Sequence, residues 1–311
     1  MPMLNIITCF EVATESKCIG LYRSIDRYLH YPAGARIFGV CSRSGHAPSK
    51  SAILAAEKLG VEYIELALNT EFLDYGLANK PFACDHIARL YPDGPNLFLD
   101  SDTLFLNDTA LEFLHETELS LRPVDHANIG ISSFHKPNGR YWKYLYDSLQ
   151  IDKPKKIAPT NGSKPIYEYY NSGFIYSAKP ELFHIWLQFF IEIMRANIHP
   201  EEGLFYVEQS TLSAVISSLE HSAKILPSNV NYPIHMQGGL PSDSKLDNYD
   251  ELLHIHYHRI FQDISTESTI LQTLDHGTFQ GASERIALLH YLGFVEKALE
   301  INAFLDWSPS N

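Results

Sequence analysis

The chain predicts an α/β fold: a mostly parallel central sheet flanked by helices, with a helical C-terminal extension. Three observations carry that reading. Short apolar runs alternate with helical segments through the first hundred residues. Leu97, Phe98 and Leu99 form an apolar run with no polar face, as in a strand buried on both sides. Beyond the Gly/Pro/Ser-rich stretch Gln237 to Ser244, a final helical segment runs from Ser283 to Leu305. With 311 residues, 45% hydrophobic and 20% charged, the chain has an ordinary globular composition and buries one large domain, alone or with an extension.

The elements follow in order. The chain runs straight into a strand, Leu4 to Thr8, without the basic region and long apolar stretch of an export signal. Helical spacing near Ile19 to Leu29, Lys50 to Leu59 and Lys80 to Leu90 separates strands at Arg36 to Cys41, Val61 to Leu66 and Asn96 to Asp100. In the third helix Ala83, Ile87 and Leu90 fall at i, i+4 and i+7. That face packs beneath the last strand, so Lys80 at the helix start either reaches the strand end or stays solvated. Past residue 108 the alternation breaks into an aromatic helix around Tyr141, Trp142, Tyr144 and Tyr146, then a loop from Asp152 to Pro165. The loop's lysines meet an anionic ligand or are simply solvated. Pro180 to Ile198 is apolar enough to suggest a membrane helix, but His184, Gln188, Glu192 and Arg195 form a polar stripe at helical spacing. The stripe predicts burial against the sheet, with at most peripheral membrane contact.

Composition narrows the function. The 24 basic residues face 37 acidic ones, and a formal charge of −13 repels phosphate backbones, so no nucleic-acid partner is expected. Cys9, Cys18, Cys41 and Cys84 have neither Cys-x-x-Cys spacing nor a dense framework, which points to a reducing, cytoplasmic setting.

The most informative feature is the end of the apolar run, where Asp100 and Asp102 follow Leu99. Ligands of open α/β sheets bind at the carboxyl ends of strands, and in extended chain positions i and i+2 project to one side. Two converging carboxylates repel unless a cation lies between them, which suits a hard divalent ion, Mg²⁺ or Mn²⁺. The competing reading is a helix cap or polar turn. Further along, Gly173 in Tyr-Asn-Ser-Gly-Phe-Ile-Tyr permits close approach of a ligand or marks a bulge. Glu208 and Gln209 stand at the amino end of a helix, and His254, His256 and His258 share a face if their stretch is extended.

In this order the segments resemble the metal-dependent GT-A glycosyltransferases, especially the branch with glycogenin and bacterial lipopolysaccharide hexosyltransferases. The matching residues are Leu97-Phe-Leu-Asp-Ser-Asp-Thr103, Tyr170-Asn-Ser-Gly-Phe174, Glu208-Gln209, Leu226-Pro-Ser-Asn-Val-Asn231 and Ile255-His-Tyr257. The resemblance implies a GT-A, Rossmann-like fold, with a catalytic domain over 1–235 and a closing segment with helices over 236–311. Within the domain, residues 1–108 would hold a nucleotide-diphosphate sugar, a UDP-sugar favoured, and 109–235 a saccharide or glycolipid acceptor.

Thr8 would lie near the base, and Asp100 and Asp102 would hold Mn²⁺ or Mg²⁺ with His256. Lys80 and Ser101 would face the donor, while Asn171, Ser172 and Gly173 would line the sugar pocket. Gln209 would sit near the anomeric carbon, Glu208 would position hydroxyls, and both would be catalytic together with Asp102. By analogy the transfer would retain anomeric configuration. The family's histidine is commonly followed by a glycine and a phosphate-touching lysine; here Arg259 and Gln262 occupy those places. Either Arg259 makes the phosphate contact or the closure differs, with His254 or His258 as the ligand. The aromatic residues at 141–146 and 167–170 are an acceptor platform or core.

Two rival readings remain at this level. One is a haloacid dehalogenase-type phosphatase or phosphotransferase using Asp100 as nucleophile, although its glycine and threonine positions hold Thr103 and Leu104. The other is a carbohydrate-binding protein on a degenerate transferase fold.

Overall fold

The computed structural model describes residues 2–31, 33–108, 111, 114, 117–219, 223–241, 251–258 and 298–307. The predicted alternation forms β1 (Leu4–Cys9), α1 (Glu15–Tyr28), β2 (Ala35–Cys41), α2 (Lys50–Lys58), β3 (Val61–Glu65), α3 (Asn79–Leu90) and β4 (Asn96–Leu99). Parallel pairing of β1 with β2 and β4, and of β2 with β3, builds half of the central sheet. Its strands alternate between two cores. Leu97 and Leu99 join a cluster with Cys18, Ile19 and Leu21 of α1, and Phe98 joins one with Ala83 and Ile87 of α3.

The remaining elements are β5 (Thr103–Phe105), β6 (Leu119–Pro123), α4 (Gly139–Ser148), β7 (Lys156–Ile157), β8 (Ile166–Tyr167), β9 (Tyr170–Ser177), α5 (Glu181–Arg195), α6 (Val207–Ser218), β10 (Lys224–Ile225), β11 (Tyr232–Pro233), β12 (His254–His256) and α7 (Ala298–Leu305). The seven-stranded sheet has the order β10-β6-β9-β4-β1-β2-β3. It is mixed, because β9 runs antiparallel to both β4 and β6. A small second sheet, β11-β12-β5, has β12 antiparallel to β5, the strand that follows the two aspartates.

Several expectations change. The strand predicted to reach Asp100 ends at Leu99. Helix α1 begins at Glu15 rather than Ile19, directly after a 3-10 turn, with the acid in its first turn where the helix dipole favours it. Helix α5 buries Leu182, Phe183, Trp186, Phe189, Phe190 and Ile193, but against α3 and α6 rather than on the sheet. Among the described residues no helix is long and apolar enough to cross a membrane. Most of the aromatic cluster is core, although Tyr144 is exposed and Tyr167 half-buried. Tyr141, Trp142, Tyr146, Tyr169 and Tyr170 are buried, their polar tips served in part inside, by Ser210 for Tyr141 and the Ile129 carbonyl for Trp142. None of the lysines at 153, 155, 156 and 164 lines the cavity that holds the aspartates. Instead, Ala158 to Gly162 border a separate cavity of about 670 Å³ beside β10. Of the predicted final helix, 283–297 lies outside the described residues.

Candidate active site

At the carboxyl ends of β1, β2 and β4 lies a cavity of about 810 Å³, whose lining includes Glu11, Arg43, Asp100, Asp102, Ser172 and Glu208. The aspartates meet there through a turn, not through extended chain. The Asp100 amide still continues the ladder, donating to the Gly173 carbonyl at 2.9 Å. The chain then reverses, with the Thr103 hydroxyl on the Asp100 carbonyl at 2.7 Å and the Tyr257 amide on the Asp102 carbonyl at 3.0 Å. Ser101, between the two aspartates, also lines the cavity.

His256 arrives from the small sheet, in register with Thr103. Its Nε2 lies 3.3 Å from Asp102 Oδ1 and 4.0 Å from Asp100 Oδ2. Gly173 makes this possible, since a Cβ at that position would stand 2.5 Å from His256 Cε1. The glycine therefore makes room for an imidazole and does not itself line the cavity. Where the chain is extended, His254 and His256 fall on one side of β12 as alternate residues; His258 does not continue it. His254 is fully buried between Phe105 and Phe174, with ring centroids 4.6 and 5.2 Å away. His258 leaves the strand with φ of 49° and stacks on His256 at 3.7 Å.

Charge in the cavity is tightly coupled. Burial alone would raise the Asp102 carboxyl, but His256 opposite holds it well below the usual carboxylate range. Conversely, burial works to lower His256, and Asp102 outweighs it and raises it. Two carboxylates and an imidazole converging here suit a divalent cation, and the donor atoms of Asp102, His256 and His258 all lie within 4.8 Å of one another.

Lys80 is buried, and its Nζ contacts Asp100 Oδ1 at 2.8 Å, Asp100 Oδ2 at 3.0 Å and Ser172 Oγ at 3.1 Å. Glu208 Oε1 stands 3.7 Å away, and Ser172 donates to Glu208 Oε2 at 3.2 Å. Burial tends to lower Lys80, but Asp100 and Glu208 keep its ammonium charged. Burial pushes the Glu208 carboxyl up to about 7, against the pull of Lys80.

The sugar-side residues are a mixed group. Asn171 Oδ1 accepts from the Gly173 amide at 2.8 Å and from Asn231 Nδ2 at 3.2 Å, so its carbonyl is committed to the wall. Gln209, half-buried, lines the cavity. Tyr75 joins the walls here, its hydroxyl donating to the Phe205 carbonyl and accepting from the Glu208 amide, both at 3.2 Å. Arg259 lies outside the described residues.

Thr8, like Gly173, does not line the cavity. It is fully buried, its hydroxyl paired with the Tyr22 hydroxyl at 2.5 Å, and it faces α1 rather than the cavity. The residues beyond the strand, Cys9 and Glu11, line the cavity instead. Glu11 receives Arg43 Nε at 3.1 Å, Arg43 Nη2 at 2.5 Å and Asn79 Nδ2 at 2.9 Å, a buried fork missed in the sequence. The usable signal was positional, since Glu11 and Arg43 each lie two residues past the end of a parallel strand.

Residues 7–220 match the Rhodobacterales glycosyltransferase domain, which spans most of the chain and all of the seven-stranded sheet except the start of β1 and β10. A search of curated proteins finds no match.

Proposed function

The chain belongs to the Rhodobacterales glycosyltransferase domain family, and on that premise we propose that it moves a hexose from a nucleotide-diphosphate sugar to a saccharide or lipid-linked acceptor. Membership makes the protein a transferase with a GT-A-like fold, in place of the dehalogenase-type phosphatase and the non-catalytic binder. The observation that carries the finer reading is the convergence of Asp100, Asp102 and His256 on one point at the sheet's carboxyl edge. That arrangement supports the resemblance to the glycogenin and lipopolysaccharide hexosyltransferase branch.

Asp100, Asp102 and His256 would hold Mn²⁺ or Mg²⁺. When bound, the ion supplies Lewis-acid neutralisation of charge on the departing diphosphate. The chain's own residues do the rest. Lys80 is fixed on Asp100 and Ser172, so it holds the carboxylate's orientation and adds a permanent positive charge beside the donor site. Ser101, Asn171 and Ser172 border the donor sugar, and Gln209 faces the anomeric carbon. Glu208 acts through Ser172 and Lys80 to position hydroxyls. The fork of Glu11, Arg43 and Asn79 borders the nucleoside half, in the place first given to Thr8. We favour a UDP-sugar, a retaining transfer and a cytoplasmic setting, with 1–235 as the catalytic domain closed by 236–311.

A thermal-shift panel of UDP-, GDP-, ADP- and CMP-sugars with and without Mn²⁺ tests this. A ligand that binds only the folded state raises its apparent stability. Stabilisation by one nucleotide class, dependent on metal, is expected and names the donor. No shift with any donor overturns the reading.

A further inference from the structure

We propose that Asp125, His235 and His258 form a second cation site, nitrogen-rich, on the cavity wall beside the two aspartates. The three residues come from separate places: Asp125 lies two residues beyond β6, His235 in the 3-10 turn after β11, and His258 two residues beyond β12. Both imidazoles converge on one carboxylate oxygen. His258 Nε2 stands 3.3 Å from Asp125 Oδ2 and His235 Nε2 stands 3.6 Å from the same atom. The two rings meet edge to face with centroids 4.3 Å apart.

These separations are long for N–H···O hydrogen bonds, whose usual range is about 2.7–3.2 Å. They fall within reach of donors grouped around a metal at roughly 2.0–2.2 Å from each, which stand roughly 2.8–3.6 Å apart. His258 Nε2 is a buried polar atom with no hydrogen-bond partner among the described residues, and it points into this cluster. All three donor atoms lie within 4.8 Å of one another. Two imidazoles and one carboxylate select a borderline ion of the Zn²⁺ or Co²⁺ class, in contrast to the oxygen-rich pair Asp100 and Asp102, which suits Mg²⁺ or Mn²⁺.

The ion would fasten three segments that are distant in the chain. It would also fix the ring that stacks on His256, and so set the orientation of the imidazole opposite Asp102. The count of two rests on the proposed function, in which Asp100, Asp102 and His256 hold the first ion; the loss of one equivalent on changing His235 or Asp125 does not.

The test is titration of the metal-free full chain with Co²⁺, followed by equilibrium dialysis and visible d–d absorption, with no donor or acceptor present. Two equivalents are expected in the wild type. One is expected in His235→Ala, in the milder His235→Gln and in Asp125→Asn, with far-UV ellipticity showing which variants keep the fold. Asp102→Ala should also keep one equivalent, with the absorption of the nitrogen-rich site. Loss of all bound metal in folded Asp102→Ala, or the full wild-type complement retained in a folded His235 or Asp125 variant, overturns the second site.

Discussion

Gly173 and His256 occupy the same space: the position a Cβ would take on the glycine lies 2.5 Å from Cε1 and 2.8 Å from Nδ1 of the imidazole. Gly173→Ala must therefore displace the ring or open β9 from its neighbours. We expect kcat/KM to fall at least about tenfold, since a displacement of about 1 Å in a catalytic constellation can cost about a hundredfold. Steady-state kinetics decide it; wild-type turnover in Gly173→Ala would show that His256 does not need its position.

Asp102→Ala removes the carboxylate opposite His256, while its side chain is partly exposed and little of the core depends on it. Transfer should fall by about a thousandfold or more, as for loss of a principal electrostatic contact in the transition state. Metal-dependent donor binding should vanish with an unchanged far-UV spectrum. Undiminished turnover in the folded variant sinks the assignment.

Glu208 ties stability to pH. Its folded carboxyl is raised to about 7 from an ordinary 4.5, so between those values the folded protein holds a proton that the unfolded chain has released. The stability from that proton is present below pH 4.5 and lost as pH rises towards 7, a change on the order of 3 kcal/mol. Glu208→Gln should flatten this fall. Melting curves across pH 4.5 to 7 measure it, and parallel wild-type and variant profiles contradict the buried carboxyl.

Lys80→Met strands Asp100 and Glu208 without their shared cation. Breaking a buried ion pair from one side costs about 3–5 kcal/mol. Urea unfolding should show a loss of that order, and a change below about 1 kcal/mol would mean the two carboxylates are neutralised by other means.

Thr8→Val separates core from donor contact. It leaves the Tyr22 hydroxyl without its partner, a loss of about 1–3 kcal/mol. The donor KM should not move; a tenfold rise would return Thr8 to the base site.

Legibility in the sequence followed periodicity. The two-sided burial of β4 was readable because Leu97, Phe98 and Leu99 have no polar member, and the aspartates stood out because that run stops abruptly. Helices α2 and α3 begin at or within one residue of the predicted starts because their apolar spacing is regular. Thr8 was misplaced because it shares the face of Leu4 and Ile6, which packs on α1, and β1 runs on to Cys9 before the cavity begins. The left-handed backbone at His258 leaves no trace in a pattern that reads as extended. Glu11 and Arg43 carry only a positional mark, two residues past a strand end, and their meeting with Asn79 depends on how three segments fold together. Aromatic richness at 141–146 is shared by sugar platforms and cores alike, and only the internal partners of Tyr141 and Trp142 decide between them.

The pairing of β12 with β5 gives synthesis a finishing line. Both aspartates leave the ribosome well before the imidazole opposite them, which belongs to a strand made much later in the chain. A nascent or clipped product lacking β12 carries the acidic pair and no histidine to face it. The facing arrangement of acid and imidazole is thus complete only once residue 256 has been made and β12 has paired.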